Sequence, residues 1–315
     1  MRKAIKILLA VDGSEYSLAA IEEAARLPWP EGSVVRIVSV AEMPVSVAQW
    51  AMPLPTASFK EWDSVFEERA VERITQAMAK FAEIAGAQTE ATAKTLRGDA
   101  KVAILDEAEH WGADLIIVGS HGYNALERIW LGSVSRAVAS HSKCSVIIAR
   151  RRHAQSASEQ PLKILLAVDG SQSSDAAVEE IAGRPWPRGS EVKVILVLNL
   201  LFTPAAETWA LPESYYSLQE KTGREQAESA INRAVSRLRE SNTEREIPLT
   251  LMNEIILGHV EEEIIETAKE WGADLIVLGS HGKRGLERFL LGSVSQAVAY
   301  HAPCSVEIVR IKAQK

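Results

Sequence analysis

Cysteine is nearly missing: the 315 residues hold only Cys144 and Cys304, at matching places in two copies of one repeat. Two thiols build no disulfide framework. Each opens an apolar run, Ser145-Val146-Ile147-Ile148 and Ser305-Val306-Glu307-Ile308, the setting of a small semi-buried residue at a strand start rather than of redox or metal chemistry. A basic excess is missing too. With 35 Lys and Arg against 42 Asp and Glu, the formal charge of −7 gives no general reason to expect nucleic acid or an anionic membrane as partner. The start imitates a secretory signal, basic then apolar, but Asp12 ends the apolar stretch after residues 7–11, too short for a signal core or a bilayer span. The same Lys-Ile-Leu-Leu-Ala-Val recurs from Lys163, mid-chain, where no signal acts. The N-terminus is therefore expected to be a strand and the protein cytoplasmic. Low-complexity stretches are absent as well; 47% hydrophobic and 24% charged residues suit globular domains, and the length allows about two.

The repeat settles the organisation. Residues 6–14 return unchanged as 163–171, residues 111–122 return as 271–282 with two conservative changes, and 126–146 return as 286–306 with most positions identical. The offset grows from 157 to 160, so the second copy carries a small insertion, expected in the variable loop around Trp50 and Trp209. Residues 151–161, polar and closed by Pro161, read as a linker between a domain at 1–150 and one at 162–315.

Within each copy, Val-, Ile- and Leu-rich runs alternate with helical patterns. In the first, strands are expected at 5–11, 34–40, up to about Leu96, 115–119 and 146–150. Helices are expected at 14–26, 64–85 and 100–111, with a last short one before the final strand. Val260, Ile264, Ile265, Ala268 and Trp271 share one helical face, a stripe that Ile104, Leu105, Ala108 and Trp111 repeat. Continuous apolar strands with intervening helices predict an α/β fold: two tandem Rossmann-like domains, each an open parallel five-stranded sheet with helices on both faces.

In such a sheet a ligand sits beyond the carboxyl ends of the strands, where strand order reverses. The polar and glycine positions gather there: Asp12-Gly13-Ser14 after the first strand, Gly98 after the third, Gly119-Ser120-His121-Gly122 after the fourth, and Gly132-Ser133-Val134-Ser135 opening the next helix. The second copy supplies Asp169, Gly258, Gly279 to Gly282 with His281, and Gly292-Ser293-Val294-Ser295. Glycine lets backbone N–H groups approach an anion, and a helix start adds unpaired donors, so the ligand chemistry is that of a phosphate. Ser133 and Ser135 suit either a phosphate or the N-cap of the same helix. Asp12 suits either a ligand or a turn before Ser14. His121 and His281, with no acidic orienter evident, read as loop residues rather than bases. His141 and His301 read as surface residues near a helix end, and no metal-ligand cluster appears.

The spacing Gly119-x2-Gly122-x9-Gly132-Ser133, repeated as Gly279-x2-Gly282-x9-Gly292-Ser293, resembles the ATP-binding members of the universal stress protein family, as does an aspartate after the first strand. The resemblance covers nearly the whole chain, twice. It implies ATP as ligand, with magnesium as an ion that arrives with it. It also implies that Asp12 and Asp169 contact the ribose or adenine end, that Ala10, Val40, Ala167 and Val197 line the adenine pocket, and that the glycine-serine segments hold the phosphates. It implies an internal pseudo-dimer through the last strand of each copy, with a further homodimer open and a regulatory protein partner unidentified. Three functions compete: a nucleotide-dependent stress regulator, a slow ATPase or adenylate-forming enzyme, and a nucleotide-free dimerisation module. No Gly-Lys-Ser/Thr follows a glycine-rich loop, which disfavours a P-loop enzyme, and intact glycine motifs disfavour the third.

Overall fold

The computed structural model describes residues 3–42, 56–86, 89–121, 131–151, 160–199, 213–243, 248–282 and 291–311, with backbone alone for 56–63 and 213–220. The chain divides at Gln160 and Pro161 into two compact units. The first runs β1 (Lys6–Ala10), α1 (Glu15–Arg26), β2 (Val34–Ala41), α2 (Thr56–Ala85), β3 (Glu90–Arg97), α3 (Ala100–Trp111), β4 (Leu115–Gly119), α4 (Ser133–His141) and β5 (Ser145–Ala149). The second repeats it as β6 (Lys163–Ala167), α5 (Gln172–Gly183), β7 (Glu191–Leu198), α6 (Glu213–Thr243), β8 (Thr250–Leu257), α7 (Val260–Trp271), β9 (Leu275–Gly279), α8 (Ser293–His301) and β10 (Ser305–Val309).

Strand order in the first unit is β3-β2-β1-β4-β5, every pair parallel. The second unit has the same order, β8-β7-β6-β9-β10. The chain steps outward from β1 to β3 and returns to the other side of β1 as β4. Right-handed crossovers therefore put α1 and α2 on one face of the sheet and α3 and α4 on the other, and within those pairs the helices touch. Strands covered on both faces must be apolar throughout: Ile7, Leu8, Leu9, Ile116 and Ile117 are wholly buried. The reversal between β1 and β4, and between β6 and β9, is where a crevice opens at the carboxyl edge.

Local chemistry fixes the ends. Ser14 and Ser171 cap α1 and α5 by accepting from Ser17 N and Ser174 N, and Asp99 caps α3 by accepting from Lys101 N and Val102 N. Gly112 and Gly272 end α3 and α7 in the left-handed conformation that a side chain disfavours. Three expectations shift. Helix α2 starts at Thr56, not near residue 64: Ser64-x-x-Glu67 reads as a helix start, but the segment following Pro55 carries the helix through it. The last strand is Ser145–Ala149, one residue earlier than read. The insertion lies elsewhere as well. Ala70, Ile74, Ala77 and Phe81 are buried on α2 where Ala227, Ile231, Ala234 and Leu238 are buried on α6, an offset still of 157, whereas β3 and β8 begin 160 apart. The extra residues of the second copy thus fall between α6 and β8, because the apolar stripe of the long helix fixes its register and the connection after it does not. Trp50 and Trp209 lie outside the described residues.

Candidate functional site

Each unit gathers its polar ends at the switch point. The register Ala10↔Val38 between β1 and β2 brings Asp12 level with Val40, and Ala167↔Ile195 brings Asp169 level with Val197. Gly132 N–H donates to Ser120 O (2.8 Å) and the Ser135 hydroxyl to Gly119 O (2.6 Å), so the start of α4 is tied to the end of β4. Gly292 N to Ser280 O (2.9 Å) and Ser295 Oγ to Gly279 O (2.8 Å) repeat the joint. Ser135 and Ser295 are therefore buried structural donors, while Ser133 and Ser293 are exposed in the first helical turn beside half-buried Val134 and Val294. Gly98 and Gly258 end the outermost strands β3 and β8, one strand removed from β1 and β6, at the rim of the crevice. Gly122 lies outside the described residues.

The glycines at the strand ends are required by space. A Cβ on Gly119 would stand 2.5 Å from Tyr16 O, and one on Gly279 would stand 2.6 Å from Ser173 C, so α1 and α5 come down directly on β4 and β9. A Cβ on Gly282 would stand 2.8 Å from Asp169 Oδ2, which brings the loop after β9 against the aspartate after β6.

Both aspartates organise the turn they end. Asp12 Oδ1 accepts from Ser14 N (3.0 Å) and from the Ser17 hydroxyl, while Asp12 N donates to Ser17 Oγ (2.9 Å). Asp169 Oδ1 accepts from Ser171 N (2.9 Å). The turn-forming role read for Asp12 is thus present, and it leaves the carboxylate fixed at the mouth of the crevice.

What distinguishes the start of α4 and α8 is what they lack. No side chain caps either helix, the N-cap is Gly132 or Gly292, and neither first turn contains an acidic residue. Helix α7 also has no side-chain cap, but Glu261, Glu262 and Glu263 put negative charge in its first turn. The starts of α4 and α8 therefore present backbone donors and the positive end of the helix dipole, with glycine at the closest approach.

His121 and His281 differ in their setting. His121 is 8% exposed, its ring lies against Tyr16 (4.9 Å between centroids), and Nδ1 is 3.2 Å from Ser120 Oγ. His281 Nδ1 is 3.1 Å from Ser280 Oγ, and its backbone carbonyl accepts from the hydroxyls of Ser171 (3.3 Å) and Ser173. Burial pulls both imidazoles below their usual pKa, and the nearby Arg150 or Arg310 guanidinium adds to it. Among the described residues neither Nε2 has a hydrogen-bond partner. Tyr16 and its counterpart Ser173 were missed in the sequence because helix positions beside a turn show no motif; the signal was their difference between otherwise matching copies.

Among the described residues no three His, Cys, Asp or Glu side chains cluster as metal ligands, and no helix is long and apolar enough to cross a membrane.

The family model described as the universal stress protein family matches residues 5–150 and again 162–310. The chain belongs to the universal stress protein family. It is 29% identical over 307 residues to a universal stress protein of Mycolicibacterium smegmatis, covering 96% of each chain. It is 28% identical over 327 residues to one of Mycobacterium tuberculosis, covering 98% of each. Among solved structures, a universal stress protein from Archaeoglobus fulgidus aligns with a TM-score of 0.61 at 22% identity over 98% of both chains, which shows a shared fold. The chain is thus a tandem two-domain universal stress protein with Rossmann-like units.

Proposed function

We propose that each unit binds one ATP and that the protein is a nucleotide-dependent regulator or interaction protein of the stress response. The observation that carries this reading is the uncapped, acid-free start of α4 and α8, with glycine at the N-cap and the end of β4 or β9 beneath it. Helices α1, α3, α5 and α7 have their starts answered by a serine, an aspartate or glutamates. Phosphates sit at Gly119, His121, Gly122 and Gly132 to Ser135, and at Gly279, His281, Gly282 and Gly292 to Ser295. Asp12 with Ala10 and Val40, and Asp169 with Ala167 and Val197, hold the ribose and adenine end; Gly98 and Gly258 border it. The exposed Ser133 and Ser293 hydroxyls add donors. Magnesium accompanies the polyphosphate as a counter-charge.

Regulation is favoured over turnover because each loop histidine faces a serine hydroxyl through Nδ1, so no carboxylate orients it as a base. The family resemblance would pair the units through their last strands, β5 and β10, each terminal in its own unit. Function in the cytoplasm fits an ATP ligand.

Gently purified protein, extracted with acid and resolved by mass spectrometry, is expected to release ATP approaching two per chain. Absence of any nucleotide, together with no heat on titration with ATP, defeats the reading and leaves a dimerisation module. Cysteines placed on β5 and β10 should crosslink within one chain; crosslinks only between β3 and β8 defeat the pairing.

A further inference from the structure

We infer that Arg73 is a phosphate contact of the first site that the second site lacks, so that ATP binding at the first site depends on this cation. The inference rests on the nucleotide reading above and deepens it.

Arg73 stands on α2 beside the buried stripe of Ala70, Ile74, Ala77 and Phe81, and is itself half-buried. Its side chain drapes over the turn after β1. A Cβ on Gly13 would meet Arg73 Cγ at 3.3 Å and Cδ and Nε at 3.6 Å each. Gly13 has φ +80°, a conformation that a side chain disfavours, and the arginine stem occupies the space above it. The stem and Nε of Arg73 thus lie against the turn that holds Asp12, at the mouth of the crevice.

Two other arginines withdrawn from water are answered by carboxylates. Arg36 meets Glu107 at 2.7 Å, and Arg184 meets Glu307 at 2.7 Å. Arg73 has no carboxylate within ion-pairing distance among the described residues. A guanidinium partly withdrawn from water gains most from an anion, and its planar fork of donors suits phosphate oxygens. The Asp12 carboxylate on the same turn is engaged by Ser14 N and the Ser17 hydroxyl, and the polyphosphate that leaves the ribose there supplies a further anion.

The second unit removes the cation. With α2 and α6 in the 157-residue register fixed by their buried stripes, the place of Arg73 is taken by Ala230, which is 5% exposed. The turn itself is unchanged: Gly170 repeats the positive φ at +77°. The two turns after β1 and β6 thus share their backbone conformation, and only the first has a cation lying over it. The second loop carries Lys283-Arg284 where the first has Tyr123-Asn124, and both pairs lie outside the described residues.

The test is calorimetry on the full chain with one site disabled at a time, by Gly292→Val to read the first site or Gly132→Val to read the second, at two salt concentrations. Arg73→Ala is expected to weaken ATP at the first site about fivefold to tenfold and to flatten its salt dependence. Adenosine, which has no phosphate, should bind the first site equally well before and after the change. Arg73→Lys should restore part of the ATP affinity, and the second site should not respond to any of these variants. Unchanged ATP affinity in Arg73→Ala, or equal losses for ATP and adenosine, overturns the inference while leaving two nucleotide sites in place. A wild-type chain that binds no ATP at all overturns the nucleotide reading itself.

Discussion

Arg184 and Glu307 face each other inside the second unit as a two-point ion pair, Nη1 to Oε2 at 2.9 Å and Nη2 to Oε1 at 2.7 Å, where the first unit has Leu27 and Ile147. Both side chains are 1% exposed. Glu180 adds a third charge, 2.9 Å from Nη2. Burial alone would favour the neutral guanidine, but the two carboxylates outweigh it and hold the Arg184 pKa above its ordinary value. One scaffold position pair is thus solved by charge in one copy and by hydrocarbon in the other. Strands β5 and β10 are consequently not interchangeable: β10 in the first unit would bury Glu307 against Leu27 with no cation to meet it.

The pair predicts a strongly non-additive mutant cycle. Arg184→Leu alone leaves Glu307 as an uncompensated buried charge and should cost about 3–5 kcal/mol, whereas Glu307→Ile alone leaves Arg184 paired with Glu180 and should cost less. The double variant reproduces the first unit's solution and should lie near wild type or above it. Urea melts of the four proteins measure this, and additive losses in the double variant would contradict it.

Acid should destabilise the protein in two windows. His121 and His281 have folded pKa values below the ordinary 6.5, chiefly through burial, so the unfolded chain binds more protons once the pH falls below that value. Their contribution is therefore complete above about 6.5 and is lost as the pH falls toward the folded values. Glu107 acts lower. Burial raises its pKa, but hydrogen bonds and charge from Lys94 and Arg36 outweigh this and bring it below 4.5, so its contribution holds above 4.5 and is lost as the pH falls through the folded value. Thermal melts from pH 8 to pH 4 should show the upper slope reduced in His121→Gln with His281→Gln, and the lower slope reduced in Glu107→Gln. Wild-type slopes in these variants would refute the assignments.

Much of this was legible in the sequence because the repeat doubled every signal. Both copies present apolar strands, capping serines and glycines at matching places, so element order and the location of the crevice followed from pattern alone. What the sequence hid is pairwise. Ile147 and Glu307 sit in matching apolar runs, and nothing in a linear pattern says that Glu307 meets Arg184, 123 residues away. Ser135 read as either a phosphate donor or an N-cap, yet its hydroxyl is committed to Gly119 O. Arg73 carries no motif, and its relation to Gly13 exists only after α2 packs on α1.

Hydrolysis should be absent or very slow. A histidine base needs an orienting group that stabilises its protonated form, and the atoms nearest Nδ1 of His121 and His281 are serine hydroxyls, while Arg150 and Arg310 oppose protonation. A steady-state assay with magnesium and ATP should show no sustained phosphate release above the protein-free rate. Many turnovers per second, abolished by His121→Ala with His281→Ala, would make the protein an ATPase.

Gly132 and Gly292 separate backbone conformation from space. Their φ values, −58° and −64°, are ordinary for any residue, so a side chain there meets no conformational penalty. A Cβ on Gly292 would stand 3.1 Å from Ser280 O and 3.4 Å from His281 Cα, close enough to require a shift of a few tenths of an ångström but not to prevent folding. On the proposed nucleotide reading, glycine at these N-caps admits an anion to the first backbone N–H groups of α4 and α8, which branched methyl groups would block. By contrast, Gly119 and Gly279 are packed against the backbone of α1 and α5, so alanine there should damage the fold itself. The expected result is a clean division. Gly132→Val and Gly292→Val should keep the native circular dichroism and each lower the ATP stoichiometry from two to one, whereas Gly119→Ala and Gly279→Ala should lower the melting temperature. Two ATP molecules still bound by Gly132→Val, with wild-type affinity at both sites, would show that the start of α4 holds no phosphate.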